Sequence, residues 1–396
     1  MGISVKMLLF VAGVGILQAI FLACLIYFHP KSDRSVNKFL ALYIFWLSMP
    51  MFTSVVGHFF TWQYLILMDP FPLLAGPLLY LYVRSFKETI TWQKTWVHFV
   101  LFALYIIIDY QLFLSWSEQY PPGKVVPIEI LHKPTSILRV TVRLVQMILY
   151  SFLARRALNT YQRSINQLFS ETSRIDLVWV RWLINGFLIL VLILMGCYML
   201  VLQNPEQVKF IILVNTAILT PYIYLVTFKG TTQPTLWQIR PDVNKEKMQE
   251  DLHEMEKFEI PSPAIEQKDE KNSLPAEKLN EIVARTLSAM DQGRLFLQSE
   301  LTLQNIADNL KLPAYQVSQA INEGLNKTFY DLVNGYRVEE AKRLLLDPKT
   351  KNNKILAIAF DSGFNSKTTF NTVFKKFTGL TPSDFKEQQS KELVGA

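Results

Sequence analysis

The sequence predicts an all-α protein: a seven-helix transmembrane bundle, a charged tether, and a cytoplasmic C-terminal domain with two helix–turn–helix motifs. Three observations carry this. Residues 1–228 hold seven apolar stretches of membrane-spanning length, residues 229–295 turn polar and acidic, and residues 296–390 show helical periodicity broken twice by tight turns. Half of the 396 residues are hydrophobic and 18% are charged, below the roughly 25% charged share of soluble chains. With 15 Gly and 19 Pro, the composition excludes a collagen-like or wholly disordered chain. Cys24 and Cys197 both sit in apolar runs, which leaves no disulfide framework and no cysteine zinc site.

The apolar stretches fall at about 7–28, 39–60, 64–84, 96–115, 135–154, 178–202 and 208–228. Each approaches the ~20 residues that a helix needs to cross ~30 Å of hydrocarbon. The first is too long for a signal peptide and lacks a small-residue cleavage site, so it is read as retained. Charge sets the orientation. Residues 1–228 hold 17 Lys/Arg against 9 Asp/Glu, a net +8, whereas residues 229–300 carry −4 and residues 301–396 carry +3. The basic residues collect after the first, third and fifth spans: Lys31, Arg34 and Lys38; Arg84, Lys87 and Lys94; Arg155, Arg156, Arg163 and Arg174. Basic loops stay cytoplasmic, so the expected place is the inner membrane, with the N-terminus outside and the C-terminal domain inside. An odd number of spans is then required.

Four charges lie within spans, where charge is costly: Asp69, Asp109, Arg139 and Arg143. The arginines are four residues apart and share a helix face. All four fall at a depth of roughly 9 Å from the outer end of their spans at 1.5 Å per residue. They read either as structural ion pairs or as a sensor pocket open to the outside. The run Asp69-Pro70-Phe71-Pro72, with Gly76-Pro77 beyond, breaks the third span and frees backbone groups that need partners. A watery cavity there, with Arg139 and Arg143 on one face, favours a small anionic ligand arriving from outside. His58, near the break, reads as an interfacial residue rather than a ligand.

In the tether, residues 242–259 place Val243, Met248, Leu252, Met255 and Phe258 at near-helical spacing, with too few repeats for a coiled coil. A second helix is expected at about 276–291, with Leu279, Ile282, Val283, Leu287 and Met290 on one side. Homodimerisation through the spans or through 242–259 would give two tails and raise their effective concentration on DNA.

The tail repeats one plan twice. Thr302 caps a helix carrying Ile306, Ala307 and Leu310, and a turn at Lys311–Pro313 leads to a second helix with Val317, Ala320 and Ile321 inward. A long helix, 331–346, follows. The second copy has Ile355, Ile358 and Ala359, a turn at Asp361–Phe364, Ser366 as cap, then Phe370, Val373, Phe374 and Phe377 inward. Gly363 suits a turn that needs positive φ.

The string Ile358-Ala359-Phe360-Asp361-Ser362-Gly363-Phe364-Asn365-Ser366, with Phe370, Phe374-Lys375-Lys376, Gly379 and Thr381-Pro382, resembles the signature of the AraC-type transcriptional regulators. Tyr336-Arg337, Ala341 and Leu344-Leu345 resemble that family's linker helix. The resemblance covers about a quarter of the chain. Pro313 departs from the Ser cap usual in the family, and Ile321 from its common aromatic. The whole layout resembles regulators in which a multi-span sensor is fused to such a domain.

Helical phase then selects the DNA-facing side chains: Ala314, Tyr315, Gln316 and Gln319 on the first recognition helix, and Lys367, Thr368, Asn371 and Lys375 on the second. Lys and Asn address guanine and adenine edges, Gln adenine, and Thr or Ala a thymine methyl. Lys376, Lys327 and Lys342 are candidates for phosphate contact, and Arg337 for phosphate contact or internal pairing. The expected function is a membrane-bound, ligand-responsive transcription regulator whose partners are double-stranded DNA, the lipid bilayer and a small outside ligand. A transporter or channel with a regulatory tail is the alternative, supported by the broken third span and the buried charges. No phosphate loop, metal-protease helix, serine elbow or kinase motif is found, so neither enzyme activity nor a cofactor or metal is expected.

Overall fold

The computed structural model describes residues 5–29, 34–123, 126–172, 177–203, 208–232, 274–350 and 353–395. These residues are almost entirely helical, and no strand occurs among them. The chain divides into two compact units: residues 1–161 with 177–238, and residues 162–176 with 239–396.

In the first unit the helices are α1 (Val5–Phe28), α2 (Arg34–Leu47), α3 (Met49–Phe59), α4 (Trp62–Met68), α5 (Ala75–Arg84), α6 (Trp92–Thr95), α7 (Val100–Gln119), α8 (Ile128–Leu131), α9 (Pro134–Leu168), α10 (Val178–Gln203) and α11 (Val208–Thr232). Among the described residues, five stretches are long and apolar enough to cross a membrane: Leu9–Phe28, Trp62–Arg84, Trp96–Gln119, Pro134–Leu168 and Val178–Gln203. The expected seven are therefore not all present as single helices. The stretch 39–60 divides into α2 and α3 at Ser48, whose hydroxyl donates to the Phe45 carbonyl. Pro50 in the first turn of α3 has no N–H to continue the α2 ladder. The third stretch breaks where its prolines predict, into α4, a 3₁₀ turn at Phe71–Leu74, and α5.

Packing in this unit uses small residues at close crossings. A Cβ at Gly76 would meet Tyr150 at 3.0 Å, and one at Gly186 would meet Tyr222 at 2.7 Å. The Tyr43 and Tyr222 hydroxyls lie 2.9 Å apart, and Tyr222 also donates to the Leu183 carbonyl at 2.8 Å. These bonds tie α2, α10 and α11 together and satisfy phenols that burial would otherwise strand. Helix α9 runs fourteen residues past the predicted end of its span, so that its last turns, from Gln162, belong to the second unit.

The second unit contains α12 (Ala276–Asp291), α13 (Leu303–Leu310), α14 (Ala314–Gln319), α15 (Phe329–Leu346), α16 (Ile355–Asp361), α17 (Lys367–Thr378) and α18 (Pro382–Gly395). Its main core joins Val338, Ala341 and Leu345 of α15 to Ile358 and Ala359 of α16, Phe364, and Phe370, Val373 and Phe374 of α17. Caps fall where the sequence places them. Thr302 accepts from the Asn305 N–H in a capping box, and the Ser366 hydroxyl accepts from the Thr369 N–H at 3.1 Å. The helix expected at 276–291 forms as α12 and packs on α14 and on the turn Ala320–Gly324. The stretch 242–259 lies outside the described residues.

Candidate nucleic-acid interface

Each of the two motifs places a short helix against a longer one. In the second, Ser362 and Gly363 make the turn, with Gly363 at φ +87°. A Cβ there would stand 2.5 Å from the Phe296 carbonyl oxygen, so only glycine suits both the backbone angle and the close approach. Phe364, Phe370 and Phe374 pack in series behind the turn, the first pair tilted and the second edge-on, with ring centroids 5.1 and 5.5 Å apart. This array fixes the phase of α17. Lys367, Thr368 and Lys375 are exposed, the side that the periodicity predicts, whereas Asn371, expected outward with them, is half-buried.

Phe377 corrects that phase at its end. Expected inward, it is 39% exposed and lies beside Gly335 of α15, where the helix outruns the core. Lys376 is engaged within the unit: its ammonium lies 2.8 Å from Asp331 Oδ1 at the start of α15. Lys342 likewise pairs with Glu339 at 2.7 Å.

The first recognition helix is narrower than expected. Ala314 and Gln319, assigned to the outward face, are both buried, at 6% and 5% exposure. The reason is α12. Helix α14 has six residues and is packed by both α13 and α12. Val283 and Leu279 of α12 press on Gly324, and Arg285 donates to the Leu310 carbonyl at 2.6 Å. The remaining arc is Tyr315 and Gln316, both half-buried, with the Gln316 amide donating to the Tyr315 hydroxyl at 3.1 Å.

Between the motifs, Arg337 is fully buried and faces inward. It donates to the carbonyls of Phe296, Gln298 and Ser299, to Asn334 Oδ1, and to the Ser170 hydroxyl. Burial pulls its pKa down to about 10, and Glu171 opposes that shift. Arg337 is thus an internal tie, the second of the two roles its sequence position suggested.

Against this geometry the comparisons are specific. Residues 306–388 match the helix-turn-helix domain family. The segment is an AraC-type helix-turn-helix domain. A helix-turn-helix transcriptional regulator encoded in the cgkA 5′ region of Pseudoalteromonas carrageenovora is 27% identical over 109 residues, covering 28% of this chain and 61% of that protein. The melibiose operon regulatory protein of Escherichia coli K12 is 26% identical over 87 residues, covering 22% of this chain and 28% of the relative. A helix-turn-helix transcriptional regulator of Staphylococcus aureus is 29% identical over 96 residues, 24% of this chain and 12% of that protein. The chain thus spans less than two thirds of each of these relatives. No solved structure matches. The AraC-type domain takes in both motifs and the Arg337 helix between them.

The first unit holds the charge cluster. Arg139 Nη2 lies 2.7 Å from both Asp69 Oδ2 and Asp109 Oδ1, and Arg143 binds Asp69 through both its carboxylate and its backbone carbonyl. The four expected residues are therefore together, with Asp69 bridging both arginines. Asp109 is fully buried, and its approach to Arg139 is too oblique for a hydrogen bond at either oxygen. Tyr105 donates to the Arg139 carbonyl and Gln146 to the Leu73 carbonyl, 2.9 Å each. The second of these bonds satisfies backbone freed at the proline break, a role no motif in the sequence pointed to.

Proposed function

We propose that this chain is a membrane-bound, ligand-responsive transcription regulator that crosses the membrane seven times and binds DNA through its cytoplasmic AraC-type domain. The observation that carries the reading is the joining of that domain, in one chain, to a unit containing five helices long and apolar enough to span a bilayer. Phe10, Leu17, Phe152 and Trp182 in those helices are each more than 60% exposed. Large apolar groups turned outward in such number suit lipid rather than water. Two further crossings are supplied by α2 with α3, which run from 34 to 59 with a break only at Ser48, and by α11, whose charges are Lys209 and Lys229 near its ends. The basic loops then place the N-terminus outside.

DNA recognition falls to Lys367, Thr368, Asn371 and Lys375 on the second motif and to Tyr315 and Gln316 on the first. Two recognition helices on one tail address successive major grooves about 34 Å apart. A homodimer would add a second tail and raise effective concentration at the operator. The input site is the Asp69–Asp109–Arg139–Arg143 cluster, reached from outside. An anionic ligand exchanges with Asp69 on the two arginines, and the Asp109 oxygens accept from its donors.

Genome-wide mapping of the sites bound by the full-length protein, paired with the transcripts that change on its deletion, tests this function. Discrete sites beside the responding genes are expected. Binding spread without preference, with no transcript change, would contradict it.

A further inference from the structure

The second unit includes a piece of chain from outside the tail. Residues 162–176, the end of α9 and the connection after it, belong to the same compact unit as the AraC-type domain. Phe169 forms an antiparallel bridge with Thr302, the cap residue of α13. Ser170 is wholly buried, and each of its polar groups is used by the domain. Its N–H donates to the Leu301 carbonyl at 3.3 Å and its hydroxyl to the same carbonyl at 2.7 Å. Its own carbonyl accepts from the Asn334 amide at 3.0 Å, and its hydroxyl accepts from Arg337 at 3.2 Å. Asn334 and Arg337 are on α15, the helix joining the two motifs, so the segment is bonded to the joint that sets their relative placement.

The next residue reaches the second recognition helix. Thr369, in the first turn of α17, donates to Glu171 Oε1 at 3.3 Å and accepts from the Ser366 cap at 2.8 Å. A carboxylate is thereby held at the N-terminal turn of the second recognition helix, two residues from the exposed Lys367. In helix–turn–helix complexes this turn carries the base contacts, and helix N-termini receive backbone phosphates. A fixed negative charge there repels the phosphates that supply most of the binding energy.

We propose that Phe169–Thr172 is an intramolecular latch that holds the AraC-type domain in a state of low DNA affinity, with Glu171 occupying the approach of a DNA phosphate to α17. Ser170 seats the latch through Arg337 and Asn334, and Glu171 supplies the block. One continuous helix, α9, leads from Arg139 and Arg143 to the latch, so a shift of that helix when a ligand displaces Asp69 withdraws the latch and frees the recognition helix. The inference rests on the DNA-binding reading and adds its regulation.

The test uses the full chain in lipid nanodiscs and a 30-base-pair duplex of random sequence, with affinity read by fluorescence anisotropy across a salt series. Glu171→Gln keeps the hydrogen-bonding shape and removes the charge. It should tighten binding by about fivefold or more, the lower range of ordinary coupling between sites. The salt dependence should steepen by about one phosphate's worth, a slope change of about 0.9. Glu171→Asp, which keeps the charge, should stay near the unsubstituted chain. As an independent measurement, in a chain that also carries Asp69→Asn, which frees the two arginines as a displacing ligand would, Phe169→Cys with Thr302→Cys locks the bridge by a disulfide. The oxidised chain should bind weakly and recover on reduction. If Glu171→Gln binds no more tightly, or if the locked chain binds as well as the reduced one, the latch is wrong while DNA binding stands. If neither the unsubstituted nor any substituted chain binds duplex DNA, the DNA-binding reading itself falls and the latch with it.

Discussion

Arg337 donates its Nε–H to the Phe296 carbonyl at 2.8 Å, and this bond joins the helix between the two motifs to the segment that precedes the first of them. The guanidinium is fully buried, and its other donors go to Gln298, Ser299, Asn334 and Ser170. Arg337→Met should destabilise the second unit by about 3–5 kcal/mol, because it leaves several buried acceptors without a donor. Arg337→Lys should not restore stability, since a single ammonium cannot serve a planar set of acceptors. Hydrogen exchange of the α15 and α17 amides reads both effects.

Gly363 lies against the same carbonyl. Gly363→Ala should cost about 1–3 kcal/mol from its left-handed backbone alone. The 2.5 Å approach of a Cβ to the Phe296 oxygen adds to that cost. Exchange in α16 and α17 should accelerate, with the amides of α1 and α10 unchanged.

On α17, exposure separates two classes of substitution. Asn371→Ala and Lys367→Ala should each weaken binding to a mapped operator by about 1–3 kcal/mol with no loss of fold. Phe370→Ala empties a fully buried site between two other rings, and should destabilise the domain by about 3–5 kcal/mol. Equal unfolding in both classes would mean that the recognition face is assigned wrongly.

In the first unit Asp69 pairs with both arginines, whereas the ion pair of Asp109 is with Arg139. Asp69→Ala should therefore lower thermal stability in nanodiscs more than Asp109→Asn does. Arg143→Gln should abolish the transcriptional response while membrane insertion and DNA binding in vitro persist. A full response from that variant would make the cluster structural only.

Most of the tail was legible because its signals are local. Thr302, Ser366 and Gly363 dictate cap and turn geometry from their own chemistry, and Phe370, Val373 and Phe374 mark one face by spacing alone. The errors arose where packing from a distance decides. Ala314 and Gln319 have outward phase in isolation, but their short helix is packed by both α13 and α12. Phe377 keeps the inward spacing but lies past the end of the core. The break at Ser48 was missed because Pro50 stands inside an otherwise uniform apolar run. Nothing in the residues around Ser170 announces a partner more than 160 positions away; only its burial and its bonds to Asn334 and Arg337 reveal the partnership. The four charges could be placed at one depth from span lengths, but their division, with Asp69 shared and Asp109 left without a hydrogen bond, depends on side-chain angles that no spacing encodes.

The central claim, a DNA-binding domain held at the inner face of a membrane, is tested most directly with sealed vesicles of opposite orientation. Membranes carrying the full chain are prepared as inside-out and right-side-out vesicles, and retention of operator DNA is measured on each, with Lys367→Ala and Asn371→Ala as controls. Inside-out vesicles should retain the DNA, in a manner that depends on both residues, and right-side-out vesicles should not. Retention by right-side-out vesicles alone, or recovery of all DNA-binding activity in the soluble fraction, would contradict the account.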